Sequence, residues 1–254
     1  MEIYNVVLAV VLIYNNSLVL LGPTAWGTGV GPKRAFVMAI LGQFLGAVSS
    51  NMPLLKIDLL EFLYITSIYT VLTYIKVSLP VAVVSYAVKE VRLDAVLFWL
   101  LTPLFALTSY VFCKTLRKGQ FLPLVTLFLV MYMFGYNNVA LFIRDPLIVV
   151  LTVLIGTYGG LYFSRWVLEL AALRTRTVVS INLSVILSSL VATFFKIPIS
   201  FTLVAYTSLF ITSYTQRFRI IKAERFIKSY MGILIAVLAA AIFPALRSLL
   251  LQEA

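Results

Sequence analysis

Tyr14-Asn15-Asn16-Ser17-Leu18 is the stretch from which the fold can be inferred, because it recurs 122 residues later as Tyr136-Asn137-Asn138-Val139-Ala140. Both copies place two adjacent amides in apolar runs of membrane-helix length. An amide in hydrocarbon needs a partner, since an unpaired polar group costs roughly 2–7 kcal/mol there. One interpretation is two satisfied hydrogen-bonding pairs between helices. The other is a pair of symmetry-related binding elements at the membrane midplane.

The composition indicates the class of protein. Of the 254 residues, 62% are hydrophobic and 11% are charged, and apolar runs of membrane length recur along the chain. We therefore expect an all-α polytopic membrane protein. A single cysteine, Cys113, excludes an internal disulfide and a cysteine metal site, and the lack of histidine excludes Ser-His catalysis and histidine metal sites. We expect neither an enzyme nor a resident cofactor.

The order of segments repeats along the chain. Each half contains an Asn-pair crossing, a plain crossing, a helical hairpin with proline at its tip and a closing crossing. The halves are residues 1–118 and 119–254, which together form one transmembrane domain. Repeats with broken helices in matching positions are typical of secondary transporters, so we expect both Asn-pair helices to be broken. The expected segments are 3–21, 35–51, 59–75, 81–88 and 95–113, then 121–142, 146–164, 180–195, 199–214 and 230–250.

The segment 22–32 contains four glycines and two prolines, which is unusual for a continuous helix. Because it follows the first Asn pair, we expect a re-entrant or cavity-lining loop there.

The charges predict the orientation in the membrane. Loops expected on one face carry thirteen basic and two acidic residues, a net charge of +11. Those on the other face carry five basic and seven acidic residues, a net charge of −2. The first face is therefore cytoplasmic and both termini lie outside. Loops after corresponding crossings fall on opposite faces, so the repeats are expected to have inverted topology. The basic excess is an orientation signal and indicates no nucleic-acid site.

Lys76 and Lys196 lie just before the hairpin-tip prolines, Pro80 and Pro198. If the hairpins are re-entrant, both ammonium groups lie near mid-membrane depth, where a charge usually marks a functional site. If the hairpins span the membrane, each lysine extends to an interface. Both alternatives stay open, because residues 81–88 are too few to span a bilayer and 199–214 are nearly enough.

Several motifs resemble those of the inorganic phosphate transporter (PiT) family, in the right order over nearly the whole chain. Asn15-Asn16 stands where the family signature has N-D, and Asn137-Asn138-Val139-Ala140 resembles its N-D-V-A. The other similar stretches are Gln43-Phe44-Leu45-Gly46-Ala47 for E-F-L-G-A, Arg165-Trp166-Val167-Leu168-Glu169 for R-V-I-E, and Ser78-Leu79-Pro80-Val81 and Lys196-Ile197-Pro198-Ile199-Ser200 for G-L-P-V-S.

The resemblance implies that the signature Asn and Asp residues, with the hydroxyls after the hairpin prolines, bind phosphate and a coupling cation. This chain departs from that pattern, since Asn16 and Asn138 replace both aspartates. An amide oxygen can ligate sodium but has no charge and takes up no proton. The first hairpin has lost its adjacent hydroxyls, whereas the second retains Ser200 and Thr202. Gln43 replaces a family glutamate.

We therefore expect a secondary transporter of inorganic phosphate or a related oxyanion, with coupling to sodium or protons weakened or lost. The expected partners are this anion and the lipid bilayer, and a homo-oligomer stays open. The alternative is a non-transporting membrane protein of the same fold that acts as a partner or assembly subunit. Sodium would be held by Asn16 and Asn138. The expected substrate-binding residues are Asn15, Asn16, Thr24, Asn137, Asn138, Ser200, Thr202, Lys76 and Lys196.

Overall fold

The structure is a computed structural model that describes residues 3–74, 80–90, 92–116, 122–165, 173–215 and 223–252. Those residues form eleven α-helices and one 3-10 helix, of which six helical segments are long and apolar enough to cross a membrane. The chain is therefore an all-α, multi-pass membrane protein. The helices are α1 Ile3–Gly27, α2 Pro32–Ser49, α3 Leu59–Tyr74, α4 Val81–Lys89, α5 Leu93–Ala106, α6 Thr108–Thr115, α7 Leu122–Asn137, the 3-10 helix Val139–Leu141, α8 Pro146–Phe163, α9 Thr175–Phe194, α10 Phe201–Thr215 and α11 Ala223–Gln252.

Helices of one half of the chain pack mainly against helices of the other half. Helix α2 of the first half lies against α7 of the second, and α8 of the second half lies against α1 of the first. The last helices of each half also pack on the hairpin of the other half: α5 and α6 contact α9 and α10, and α11 contacts α4. Each half thus completes the core of the other.

Glycines allow the closest of these helix contacts. A Cβ added at Gly46 of α2 would lie 2.0 Å from the backbone oxygen of Tyr132 in α7. A Cβ added at Gly160 of α8 would lie 2.4 Å from the Cβ of Ser17 in α1. Small residues four positions apart let the backbones of two membrane helices approach closely. This close approach increases the van der Waals contact that drives helix association in membranes.

The prediction of a broken helix at the first Asn pair is wrong. Helix α1 runs unbroken from Ile3 through Asn16 and Pro23 to Gly27. Asn16 Nδ2 donates to the backbone oxygen of Leu12 at 2.9 Å, so the amide nitrogen has a partner inside its own helix and requires no break. The predicted loop at 22–32 is consequently helical over 22–27, and the non-helical part covers 28–31.

The second Asn pair lies at the end of a helix. Helix α7 ends at Asn137, and the chain continues as the buried 3-10 helix. Backbone groups after this break find partners elsewhere: the N–H of Leu55 donates to the oxygen of Leu141 at 2.7 Å. Asn5 of α1 donates to the oxygens of Leu55 and Phe142, at 2.6 and 3.0 Å. Asn5 therefore ties the loop after α2 to the segment before α8.

The first hairpin returns to the side on which it begins. Helix α4 has nine residues, about 14 Å at about 1.5 Å per residue, and Val81–Val88 are all buried. At its end, the Nζ atom of Lys89 lies 2.6 Å from the carboxylate of Glu61 in the first turn of α3. Helix α9 of the second hairpin has twenty residues, about 30 Å, which is enough to cross the hydrocarbon core.

Candidate functional site

The tip of the second hairpin is bound on two sides by buried side chains. Asn138 donates through Nδ2 to the oxygen of Ile199 at 2.9 Å and accepts from the N–H of the same residue at 3.3 Å. Trp99 of α5 donates through Nε1 to the oxygen of Pro198 at 2.7 Å. Because α7 ends at Asn137, Asn138 lies outside regular helix, and its side chain reaches the non-helical backbone between α9 and α10.

Asn137 binds a different part of the same hairpin. Its Nδ2 donates to the backbone oxygen of Ser189 at 3.2 Å, and its Oδ1 accepts from Thr193 Oγ1 at 2.9 Å. Both partners lie in the last turns of α9. The adjacent amides thus hold the end of α9 and the turn that follows it, which fixes the hairpin tip against α7.

The first Asn pair reaches this hairpin as well. Asn16 Oδ1 accepts from Thr202 Oγ1 at 3.1 Å, although the two residues are 186 positions apart. Thr202 lies in the first turn of α10, and Ser200 begins that helix by accepting from the N–H of Leu203 at 3.4 Å. Asn16, Ser200 and Thr202 are all nearly fully buried. The structure therefore gathers five predicted site residues at the second hairpin: Asn16, Asn137, Asn138, Ser200 and Thr202.

Lys196 is separate from that buried group. Its side chain is exposed, and the neighbouring Phe194 is 83% exposed. Lys196 lies two residues after the end of α9 in the left-handed conformation, with φ 54°. The N–H of Ile197 donates to the oxygen of Ala192, as in a Schellman motif. Because α9 is long enough to cross the membrane, this position fits an interfacial lysine better than a central one. Lys76 lies outside the described residues.

Two further predicted residues lie on α1. Asn15 is half-buried beside Asn16. Thr24 is fully buried, about 12 Å along the helix from Asn16, so it lies away from the hairpin tip. Its hydroxyl finds no hydrogen-bond partner among the described residues.

Thr24 is one of several buried groups without a partner in the described part of the chain. The others include the hydroxyls of Ser17 in α1, Ser85 in α4 and Ser208 in α10, and Gln43 Oε1 in α2. An unsatisfied buried polar group costs about 1–3 kcal/mol. The three serines were not predicted from the sequence, because a serine in an apolar helix usually bonds its own backbone and gives no separate signal.

Gln43 and Thr157 meet between the second helices of the two halves. Gln43 Nε2 donates to Thr157 Oγ1 at 2.9 Å. Each residue lies eleven positions after the proline that begins its helix, Pro32 in α2 and Pro146 in α8. The contact therefore joins residues at matching positions of the two halves.

The buried group offers oxygen ligands of the kind that hard cations accept. Asn16 Oδ1 and Thr202 Oγ1 are neighbours, whereas Asn138 Oδ1 is directed at a backbone N–H. The two predicted sodium ligands thus reach the hairpin at different points, Thr202 and Ile199. In the described ranges no three His, Cys, Asp or Glu side chains form a cluster suited to a metal ion.

Comparisons of the chain with family models, with curated proteins and with solved structures give no match.

Proposed function

We propose that the chain is a secondary transporter of inorganic phosphate or a related oxyanion, built from two inverted repeats. The observation that supports this most directly is the hydrogen bond between Asn16 and Thr202. It connects the Asn pair of the first half to the second hairpin, where Asn137 and Asn138 also bind. Secondary transporters of this design have their substrate sites at the interface between the two repeats.

The packing of the halves supports the repeat. In a two-fold arrangement, an element of one half contacts the other half in the same way as its equivalent contacts the first, and equivalent residues meet on the axis. Helices α2 and α8 exchange partners in this way, and Gln43 meets Thr157 between them. The charges agree with the expected topology, since Asp58, Glu61, Lys89 and Arg247, all assigned to one face, form a single ion-pair cluster.

An anion is the better substrate for this interior. Among the described residues Glu61 is the one buried carboxylate, and it is neutralised by Lys89 and Arg247. The group at the second hairpin contains amides and hydroxyls, without the aspartates that would favour a cation. A hydroxyl can rotate to donate to an oxyanion, and the buried hydroxyls of Ser17 and Ser85 have no hydrogen-bond partner within the described part of the chain.

Uptake into proteoliposomes tests the proposal. Radiolabelled phosphate and sulfate are supplied to vesicles containing the purified protein, with and without a sodium or proton gradient. We expect saturable uptake of at least one oxyanion above protein-free vesicles.

A non-transporting role is the second candidate, and the hydrogen bonds of the second Asn pair favour it. Both polar atoms of Asn137 and of Asn138 are bonded by protein groups, as in a purely structural staple. This candidate predicts a stable, monodisperse protein that takes up neither anion under any gradient.

A further inference from the structure

Four helix termini meet at one end of the protein. The end of α1 contacts the start of α9, since a Cβ added at Gly27 would lie 2.5 Å from the Cβ of Leu173. It also contacts the end of α8, where Trp26 Nε1 donates to Ser164 Oγ at 2.9 Å. Helix α2 begins at Pro32, five residues after α1 ends. This end includes the loop 28–31 and lies on the face that the charges predict to be cytoplasmic.

Arg165 is positioned at this end by an aromatic ring. Its guanidinium carbon lies 4.8 Å from the centre of the Trp26 ring. Stacking occupies the face of a guanidinium and leaves the N–H groups at its edge free to form a bidentate contact with a phosphate. The indole N–H is already bonded to Ser164, so Trp26 is held in place as a support for the arginine.

The surrounding surface is basic. Five exposed cationic side chains belong to the four termini: Lys33, Arg34, Arg165, Arg174 and Arg176. Within the described ranges no carboxylate lies at ion-pair distance from Lys33, Arg34 or Arg165. Such a cluster next to a bilayer attracts anionic headgroups.

The loop 28–31 leaves room for a ligand beside these charges. Gly29 and Gly31 have φ values of 77° and 87°, and a Cβ added at either would meet nothing within 4 Å. Helix α2 begins without a side-chain cap, so its first N–H groups are not bonded by a capping side chain. Uncapped N–H groups at a helix start favour an anion.

We propose that this basic end, defined by Trp26, Lys33, Arg34, Arg165 and Arg174, binds the phosphodiester headgroup of an anionic phospholipid. The neighbouring side chains favour a lipid over free phosphate as the ligand. Tyr162 and Phe163, in the last turn of α8 directly before Ser164, are 68% and 56% exposed. They provide an apolar surface for acyl chains next to a site for the headgroup, and aromatic residues at this depth are typical of a membrane interface. The site is independent of the transport proposal.

Native mass spectrometry of the purified protein with phosphatidylglycerol or phosphatidylcholine tests this inference. We expect preferential retention of phosphatidylglycerol, and about fivefold weaker retention in Arg165→Gln, as for one basic residue removed from an anionic surface. Lys56→Gln is the matched control, because Lys56 is exposed next to the Glu61 cluster at the other end. It should bind phosphatidylglycerol as wild type does.

Equal retention of both lipids by the wild type would overturn the proposal, and so would equal losses in Arg165→Gln and Lys56→Gln. If inorganic phosphate binds and Arg165→Gln removes it without affecting phosphatidylglycerol, the site is one for free phosphate and the proposal fails. If Arg165→Gln does not fold, two experiments replace it. One uses Arg165→Lys, which retains the charge but not the planar guanidinium, and the other is a salt titration of the wild type. Raised salt should release phosphatidylglycerol, and retention that is independent of salt contradicts a charge-based site.

Discussion

Gln43 donates a hydrogen bond to Thr157 across 114 residues of chain, and each residue follows a glycine and precedes another by three positions. Gly42 and Gly46 flank Gln43 in α2, and Gly156 and Gly160 flank Thr157 in α8. The same pattern thus contacts its own copy between the two halves. This arrangement is expected at the axis of a two-fold repeat, and it depends on both glycine pairs, which let α2 approach α7 and α8 approach α1.

We expect Gly46→Ala to destabilise the protein by about 1–3 kcal/mol, because the new methyl group would overlap the backbone oxygen of Tyr132. Gly159→Ala is the control, since its Cβ would be 3.2 Å from the ring edge of Tyr14, a side chain that can shift. Thermal unfolding in detergent measures both. Equal melting temperatures for Gly46→Ala and Gly159→Ala would contradict close backbone packing of α2 on α7.

We expect Asn16→Asp and Asn138→Asp to make anion uptake more dependent on a cation gradient. A carboxylate at either position places a negative charge in the buried group at the second hairpin, and a cation compensates it. Uptake with and without a sodium gradient measures the change against wild type, for which weak dependence is expected. A wild type whose uptake stops without sodium would show that amide oxygens already suffice as cation ligands.

We expect residues of the two predicted faces to be labelled from opposite sides of the membrane. In a Cys113-free background, Lys56→Cys and Glu90→Cys should react from outside, and Lys33→Cys and Arg174→Cys from the cytoplasm. The ion pair between Lys89 and Glu61 places the first two reporters on one side in the structure. Labelling of Lys56→Cys and Arg174→Cys from the same side would end the inverted-repeat proposal, because these residues follow corresponding crossings of the two halves.

We expect Lys196→Gly to stabilise the protein by about 0.5–1 kcal/mol, because glycine adopts the left-handed conformation without the cost that a side chain adds. Since the lysine is exposed away from the buried group, Lys196→Met should leave anion affinity unchanged. Thermal unfolding and equilibrium phosphate binding measure the two effects. A tenfold loss of affinity in Lys196→Met would instead return this lysine to the substrate site.

The sequence was sufficient for the membrane class and for both proline-containing hairpins, because apolar run length and Pro80 and Pro198 are local signals. It failed at α1, where Asn16 bonds Leu12 in the same helix and Pro23 is accommodated inside it. Whether an amide bonds its own helix or another depends on tertiary packing, which one sequence does not show.

The hydrogen-bond partners of the Asn pairs could not be predicted from the sequence either. Thr193 and Thr202 lie 56 and 186 positions from the amides that they bond. Neither distance follows a repeat or a motif spacing. Asn5 was detectable in principle as an isolated amide in an apolar run, but its backbone partners in two separate loops were not.

Phosphate uptake by Thr202→Val compared with Thr207→Val tests whether the contact between Asn16 and the second hairpin serves oxyanion transport. Both threonines are buried on α10, but Thr202 bonds Asn16 of the other half, whereas Thr207 bonds Leu203 in its own helix. Valine preserves shape in both cases. We expect saturable wild-type uptake, a loss of about tenfold in Thr202→Val and little change in Thr207→Val. Wild-type vesicles that accumulate no oxyanion, or equal uptake in the two variants, would contradict this expectation.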